Sequence, residues 1–276
     1  MTFHPEQFGV VGLGRMAQAL LEPWLDDGLI TPATVRAVVG SEASKERWAH
    51  DTLGGHGLQV GTDPLPAWQA PVVLLAVKPQ LLDQVARTAV APPVAPGSFP
   101  NLLISVLAGV RLERLQRLFP DHICVRAVVN TPALVRHGLT ALAWSQEPAE
   151  DLRHWVEHLF RCVGKVWTLP ESQLDAFLAL TASGPAFVAL VAEALADGAV
   201  AAGLPRVLAQ PLALQTLGGT AALLEGKDLH PGQLKDMVSS PAGTTIAGLR
   251  QLERAGLRSA LLEAVLAAAE RSRALA

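Results

Sequence analysis

Phe8-Gly9-Val10-Val11 has the pattern of a short buried strand and runs without a linker into Gly12-Leu13-Gly14-Arg15-Met16-Ala17, after which a helical run, Gln18 to Leu25, begins at once. G-x-G-x-x-A between a strand and a helix constrains this chain more than any other stretch. The first glycine allows a tight turn, the second lets backbone approach a pyrophosphate, and the small third residue lets helix and strand pack closely. A tight turn with no ligand meets the same pattern, so the following segments carry the decision.

Val35 to Val39 supplies a second strand, and Gly40-Ser41 opens a helix that runs through Trp48. No Asp or Glu ends that strand to hold a ribose 2′-hydroxyl. Ser41, with Lys45 and Arg47 in the next turns, suits a 2′-phosphate, which favours NADPH; Glu42 keeps NADH open, and Ser41 reads equally as a helix N-cap. Pro71 to Val77 is a continuous apolar run ending in Lys78-Pro79, the signature of a central parallel strand at its carboxyl end, where Lys78 faces a cofactor or simply solvent. Leu102 to Val106 and Val125 to Val129 follow as strands. The second ends in Asn130-Thr131-Pro132, where Asn130 is either a hydrogen-bonding partner of cofactor or substrate or plain turn chemistry. Thr140 to Trp144 and Val163 to Thr168 read as edge strands flanking the helix Glu150 to Cys162. Alternating strands and helices to residue 168 predict a parallel nucleotide-binding sheet.

From Glu171 the strand signal stops. Gln173 to Thr181, Pro185 to Ala202, Pro205 to Leu224 and Arg258 to Leu275 are Ala- and Leu-rich helical stretches with almost no polar face. A helix apolar nearly all round must be buried, and a second copy of the chain is the expected cover, making a homodimer. The fold class expected is α/β, a doubly wound sheet over residues 1–168 followed by an all-α dimerisation and substrate-binding domain over 169–276. No apolar run approaches the roughly 18 residues of a membrane span, and the N-terminus lacks a basic region and an apolar stretch, so a cytoplasmic protein without a membrane partner is expected. Net charge is -3 with no long run of either sign, which argues against nucleic acid. The two cysteines have no metal-type spacing, and the absence of H-E-x-x-H and G-x-S-x-G leaves metal and serine chemistry without support.

His230 to Leu249, HPGQLKDMVSSPAGTTIAGL, packs two helix starts and a turn into twenty residues. Pro231 opens a helix; Ser239-Ser240-Pro241-Ala242-Gly243 breaks it, with Gly243 expected at positive φ; Thr244-Thr245 restarts it. The restart leaves backbone N–H groups unpaired beside several hydroxyls, which suits a small carboxylate or phosphate, although a Ser/Thr-capped connection is an equal reading. Glu193 and Asp197, four apart on one helix face, either do acid–base work or contact a neighbouring helix.

Together with Ala76-Val77-Lys78-Pro79-Gln80, Asn130-Thr131-Pro132, Ser183-Gly184-Pro185-Ala186 and Gly203-Leu204-Pro205, the glycine loop and HPGQLKDMVSSPAGTT give the chain a resemblance to the pyrroline-5-carboxylate reductase family over nearly its whole length. The resemblance implies a Rossmann domain followed by a helical dimerisation domain, with rings of dimers as a further assembly. It implies that Val11, Gly12, Leu13, Gly14, Arg15 and Met16, with Ala76, Val77, Lys78 and Pro79, hold NAD(P)H. The Ser239, Ser240, Ala242, Gly243, Thr244 and Thr245 turn would take the substrate carboxylate, with Thr245 hydrogen-bonded to the ring nitrogen, and Asp228 would reach the site from the partner. The activity implied is reduction of 1-pyrroline-5-carboxylate to L-proline. Another cyclic imine or a β-hydroxy acid as substrate, or a nucleotide-binding regulatory protein without turnover, are the alternatives.

The chain departs from that family at four positions. Ala182 and Ala242 stand where glycine is usual, Val129 where proline is, and Asp63 where an asparagine often contacts the adenosine ribose. An extra Cβ at Ala242 would bear on the carboxylate turn, and Asp63 would repel a 2′-phosphate.

Overall fold

The computed structural model describes residues 5–49, 57–94 and 98–275. Eight strands form one sheet: β1 (Phe8–Val11), β2 (Val35–Val38), β3 (Gln59–Gly61), β4 (Val72–Leu75), β5 (Leu102–Ser105), β6 (Ile123–Val129), β7 (Gly138–Trp144) and β8 (Gly164–Thr168), in the order β3-β2-β1-β4-β5-β6-β7-β8. The chain runs outward from β1 to β3, then crosses back to lay β4 against the other side of β1, with Val11 opposite Leu75. Ligands of doubly wound sheets sit at such a reversal, beside the carboxyl ends of the strands.

Two expectations change here. The sheet is parallel only through β6, because β7 pairs antiparallel to it and β8 then runs parallel to β7. Thr140 to Trp144 is therefore an interior strand, and the edges are β8 and the three-residue β3, which is too short to show a period in sequence.

Strands β1, β4, β5 and β6 are buried along their whole length, which is why they read as continuous apolar runs. One face packs Phe8, Val10, Leu20 and Trp24 against Trp155 and Phe160, drawing on α1 (Arg15–Asp26) and on Glu150–Arg161. Trp24 donates its indole N–H to the Leu159 carbonyl at 2.6 Å, so its one polar atom is satisfied inside the core. The other face packs Val73, Leu75 and Leu103 against Trp68, Leu115, Phe119 and Leu174.

The chain divides into two compact units, residues 1–182 with 269–276, and residues 183–268. The helix Leu174–Thr181 belongs to the first because Leu174 is fully buried in that second core. The boundary expected at 168/169 falls ahead of it; helical pattern alone does not say against which surface a helix packs.

The second unit holds Gly184–Ala201, Arg206–Gly226, Pro231–Met237, Thr244–Arg254 and most of Leu257–Leu275. The first two pack together through Ala196, Ala209 and Ala213, small residues that bury little apolar area. Large ones stay outside: Leu190 is 67% and Val207 78% exposed. Glu171–Ala201 and Arg206–Gly226 are also long and apolar enough to cross a membrane by length and composition, which corrects the expectation that no run approaches that length.

Candidate active site

At the end of β1 the chain turns through Gly12, whose φ is +92° and whose N–H donates to the Val38 carbonyl at 3.0 Å. A Cβ here would lie 2.8 Å from the Ala76 carbonyl oxygen and from Val77 Cγ1, so only glycine fits. Gly14 is different. Its φ is -77° and the nearest atom to an added Cβ is 3.8 Å away, so neither strain nor crowding within the protein requires glycine. What the missing side chain keeps open is the helix start itself.

Gly14 caps α1 with no side-chain hydrogen bond among the described residues, and the first helical bond runs from Gln18 N–H to Gly14 O. The amides of Arg15, Met16 and Ala17 are left outside the ladder, an anion cradle for a pyrophosphate. Ala76 N–H donates to the Val11 carbonyl at 2.9 Å, which holds the Ala76–Pro79 segment beside this turn. Val11 to Met16 and Ala76 to Pro79 thus come together where the sequence placed the cofactor; Leu13 is buried, Arg15 and Lys78 are exposed.

Three proposed cofactor residues have other work. Ser41 Oγ accepts the Ser44 N–H at 3.2 Å as the N-cap of α2 (Glu42–Ala49), and Lys45 pairs with Glu42 at 3.3 Å. Glu42 also accepts from Thr62 at 2.8 Å, and this bond, then Lys45, holds its carboxyl below the ordinary value. Asp63 Oδ1 accepts the Leu65 N–H at 3.0 Å, a cap for the short helix Leu65–Trp68. Asn130 is the clearest correction: it is buried, its Nδ2 donates to the Thr181 carbonyl at 3.0 Å and its Oδ1 accepts the Leu139 N–H at 2.7 Å. Its amide pins the loop after β6 from both ends, which leaves it a structural rather than a ligand-binding role.

The second unit builds its site in the 239–245 turn. Pro231–Met237 starts from His230, whose Nδ1 accepts the Gly232 N–H at 3.1 Å while Gln233 Oε1 accepts the His230 N–H at 2.9 Å. After it, Ser240 O accepts the Gly243 N–H at 3.0 Å, closing a turn with Pro241 and Ala242 at its two central positions. Ala242 sits at φ +56°, as the third residue of a type II turn must. Gly243 was expected to take the positive φ, but it is extended at φ -75°, ψ 172°. A Cβ there would require the Ser240 hydroxyl to turn aside and would still stand 3.1 Å from the Ser240 carbonyl oxygen, a tight contact.

The strain at Ala242 yields a prediction. Left-handed backbone costs a side-chain-bearing residue about 1–2 kcal/mol, offset in part by the greater unfolded-state freedom of glycine. Ala242→Gly should stabilise the helical unit by about 0.5–1 kcal/mol, visible as a higher melting temperature; a lower one would mean the turn has another geometry. Ala182, at φ -86°, is right-handed and needs no glycine.

Gly243 caps Thr244–Arg254 without a side-chain bond among the described residues, and the first helical bond is Ala247 N–H to Gly243 O at 3.3 Å. The amides of Thr244, Thr245 and Ile246 are therefore outside the ladder. Ser239 Oγ is buried and has no partner among the described residues. A cavity of about 680 Å³ is lined by Ser239, Ala242 and Gly243 together with Lys235, Ile246 and Arg250. Sequence reading missed those last three, although Gly243, Ile246 and Arg250 share one helical face at spacings of three and four. Ser240, Thr244, Thr245 and Asp228 do not line it; Thr245 is half-buried and Asp228 is exposed at φ +49°. Asp197 accepts from Arg206 at 2.5 Å, so the interhelical reading of the Glu193/Asp197 pair holds for Asp197.

The family model described as "Pyrroline-5-carboxylate reductase dimerisation" matches residues 171–275, and one described as "NADP oxidoreductase coenzyme F420-dependent" matches residues 7–109. A pyrroline-5-carboxylate reductase from Synechocystis sp. is 45% identical over 271 residues, covering 98% of each chain. One from Glycine max is 39% identical over 267 residues, covering 97% of this chain and 95% of the other. Among solved structures, the pyrroline carboxylate reductase of Plasmodium falciparum with NADP bound superposes with a TM-score of 0.83 at 27% identity, covering 98% of this chain and 97% of the other. That of Coxiella burnetii gives 0.84 at 28% identity and 99% of each chain.

Proposed function

This chain belongs to the pyrroline-5-carboxylate reductase family and reduces 1-pyrroline-5-carboxylate to L-proline with NAD(P)H; from that premise we propose how its residues divide the work. The glycine turn fits the cofactor because the Gly12 position is closed to any Cβ and the α1 amides are open. Bound there, NAD(P)H supplies a hydride to C5 of the imine. The Arg15–Ala17 amides take the pyrophosphate and Ala76–Pro79 flanks the nicotinamide ribose. NADPH is the favoured form, with the 2′-phosphate at Ser41 and beside the Lys45–Glu42 pair.

The observation that carries the substrate assignment is the buried Ser239 Oγ, without a partner among the described residues, together with the open amides of Thr244–Ile246 at the helix start. A carboxylate satisfies both at once, and few neutral ligands would. Lys235 and Arg250 line the same cavity together with Asp236 and Glu253, so the charged side chains balance and the open amides with Ser239 carry the preference for an anion. Thr245 orients the ring nitrogen, which must carry a proton for C5 to accept hydride readily; a threonine hydroxyl is too weak an acid to supply that proton, so solvent does. Positioning then provides much of the rate. Asp228 completes the site from the partner.

Thr245→Ala should lower kcat/KM by about tenfold or more, the loss of a hydrogen bond worth about 1.5 kcal/mol, with Thr245→Ser retaining most activity. Steady-state kinetics with unchanged constants in the alanine variant would remove Thr245 from the site.

The chain self-associates through its helical unit, which covers side chains such as Leu190 and Val207. The dimer is the first assembly, rings of dimers the next, and the compartment is the cytoplasm; neither nucleic acid nor membrane is proposed as a partner. The deciding assay follows nicotinamide absorbance with purified protein, 1-pyrroline-5-carboxylate and NADPH or NADH, and identifies the product. Rapid oxidation yielding proline supports the reading and ranks the cofactors. Tight cofactor binding without turnover overturns it in favour of another imine or a β-hydroxy acid.

A further inference from the structure

Arg126 lies midway along β6, 2% exposed, on the sheet face that also carries Phe119 and Leu174. Its Nη1 donates to Glu171 Oε1 at 3.1 Å, and the same oxygen accepts the Leu112 N–H at 2.7 Å. The guanidinium's other edge is unused: Nε and Nη2 are both buried without a partner among the described residues. Those two N–H groups lie side by side and point the same way, the geometry that accepts both oxygens of a carboxylate or phosphate. A buried cation with an empty donor edge is costly to leave unmade.

Arg126 also lines a cavity of about 350 Å³, together with Arg111, Glu171, Ser172, Asp175 and Arg273. None of these belongs to the glycine turn, to Ala76–Pro79 or to the 239–245 turn. Glu171 is occupied by Arg126, and Asp175 Oδ1 accepts from Ser272 Oγ at 2.6 Å. Arg111 and Arg273 are exposed and have no ion pair among the described residues. Three guanidinium groups thus face two carboxylates that already have partners, and the balance leaves room for one negative charge.

We propose that this cavity is a second ligand site that binds a small oxyanion, its carboxylate or phosphate group held side-on by Nε and Nη2 of Arg126 and flanked by Arg111 and Arg273. The volume fits a small metabolite and is far too small for a dinucleotide. Because Leu112 N–H and Arg126 share Glu171, occupancy would bear on the start of Leu112–Leu118, which follows the turn after β5.

Isothermal titration of the full-length protein with inorganic phosphate, and separately with acetate, tests this, with NADP+ and L-proline both saturating so that the reaction site is filled. Expected is one anion per chain under those conditions, with affinity falling about fivefold or more in Arg111→Gln/Arg273→Gln. Both residues are exposed, so that variant should keep the wild-type melting temperature. Tighter phosphate than acetate would identify a phosphate-bearing ligand, the reverse a carboxylate. No binding of either anion to the saturated protein, or binding unchanged in the double variant, overturns the proposal and leaves water as the occupant. The reductase assay is unaffected by that outcome, so failure here and failure of the assigned reaction are separable.

Discussion

Gly12→Ala should weaken NADPH binding by about a hundredfold or more, the largest effect expected from any single methyl group in this chain. Two costs add. An alanine at φ +92° is strained by about 1–2 kcal/mol or more. Its Cβ would also stand 2.8 Å from the Ala76 carbonyl oxygen and 2.9 Å from the Ala76 carbonyl carbon, backbone atoms that cannot turn aside. Ala76 is itself tied to Val11 by its N–H, so relief has to come from moving the glycine turn away from β4. That movement spoils the cradle formed by Gly14 to Met16 with Ala76 to Pro79. Fluorescence titration with NADPH measures it, with Gly14→Ala as the companion: there the added methyl has 3.8 Å of clearance, so stability should hold and only cofactor affinity should drop. Wild-type NADPH affinity in Gly12→Ala would mean that cofactor does not use this turn.

The same two glycines show what was legible in the sequence. Their spacing announced the turn, because a strand entering a helix through G-x-G-x-x-A has few other uses. The apolar runs of β1, β4, β5 and β6 were legible for the same physical reason, burial on both faces. What sequence could not show was partnership. Nothing in Gly138–Trp144 says that it reverses direction and lies inside the sheet, since an antiparallel neighbour leaves the residue pattern of a buried strand unchanged. Asn130 was misread for a related reason: its partners, Thr181 and Leu139, are remote or follow a turn, and a side-chain amide looks the same in sequence whether it binds a ligand or pins a loop.

In the 239–245 turn the residue types were right and the geometry was exchanged. Glycine was expected to mark the positive φ, yet Ala242 carries it while Gly243 yields space to Ser240. The resemblance had flagged Ala242 as a departure that bears on the carboxylate turn. The structure gives the departure a different meaning, because an exposed Ala242 in left-handed backbone stores strain at the turn. The apolar helices of the second unit were legible as interface for the opposite reason to the sheet: their side chains find no cover within their own unit, whose core is a few alanines.

Stability should fall steeply between pH 6.5 and about 4 through His122, the second large effect expected. This residue is 8% exposed, its ring lies edge-on to both Trp68 and Phe119, and neither ring nitrogen has a partner among the described residues. Burial pushes its pKa from the ordinary 6.5 down to about 4, with Asp121 opposing that shift. Above 6.5 the ring is neutral in folded and unfolded chains alike, and it contributes no pH dependence. Between 6.5 and about 4 the unfolded chain binds the proton and the folded one does not, so stability drops as pH falls. A difference of that size corresponds to about 3 kcal/mol across the window. His122→Leu, which places a similar volume between the same rings, should remove that part of the slope while leaving the rest. All six tryptophans, Trp24, Trp48, Trp68, Trp144, Trp155 and Trp167, precede residue 183, so tryptophan fluorescence during denaturant unfolding reports the sheet-containing unit alone. Equal slopes for the two proteins from pH 6.5 to about 4 would show that His122 is protonated in the folded state and that water or an anion reaches its ring.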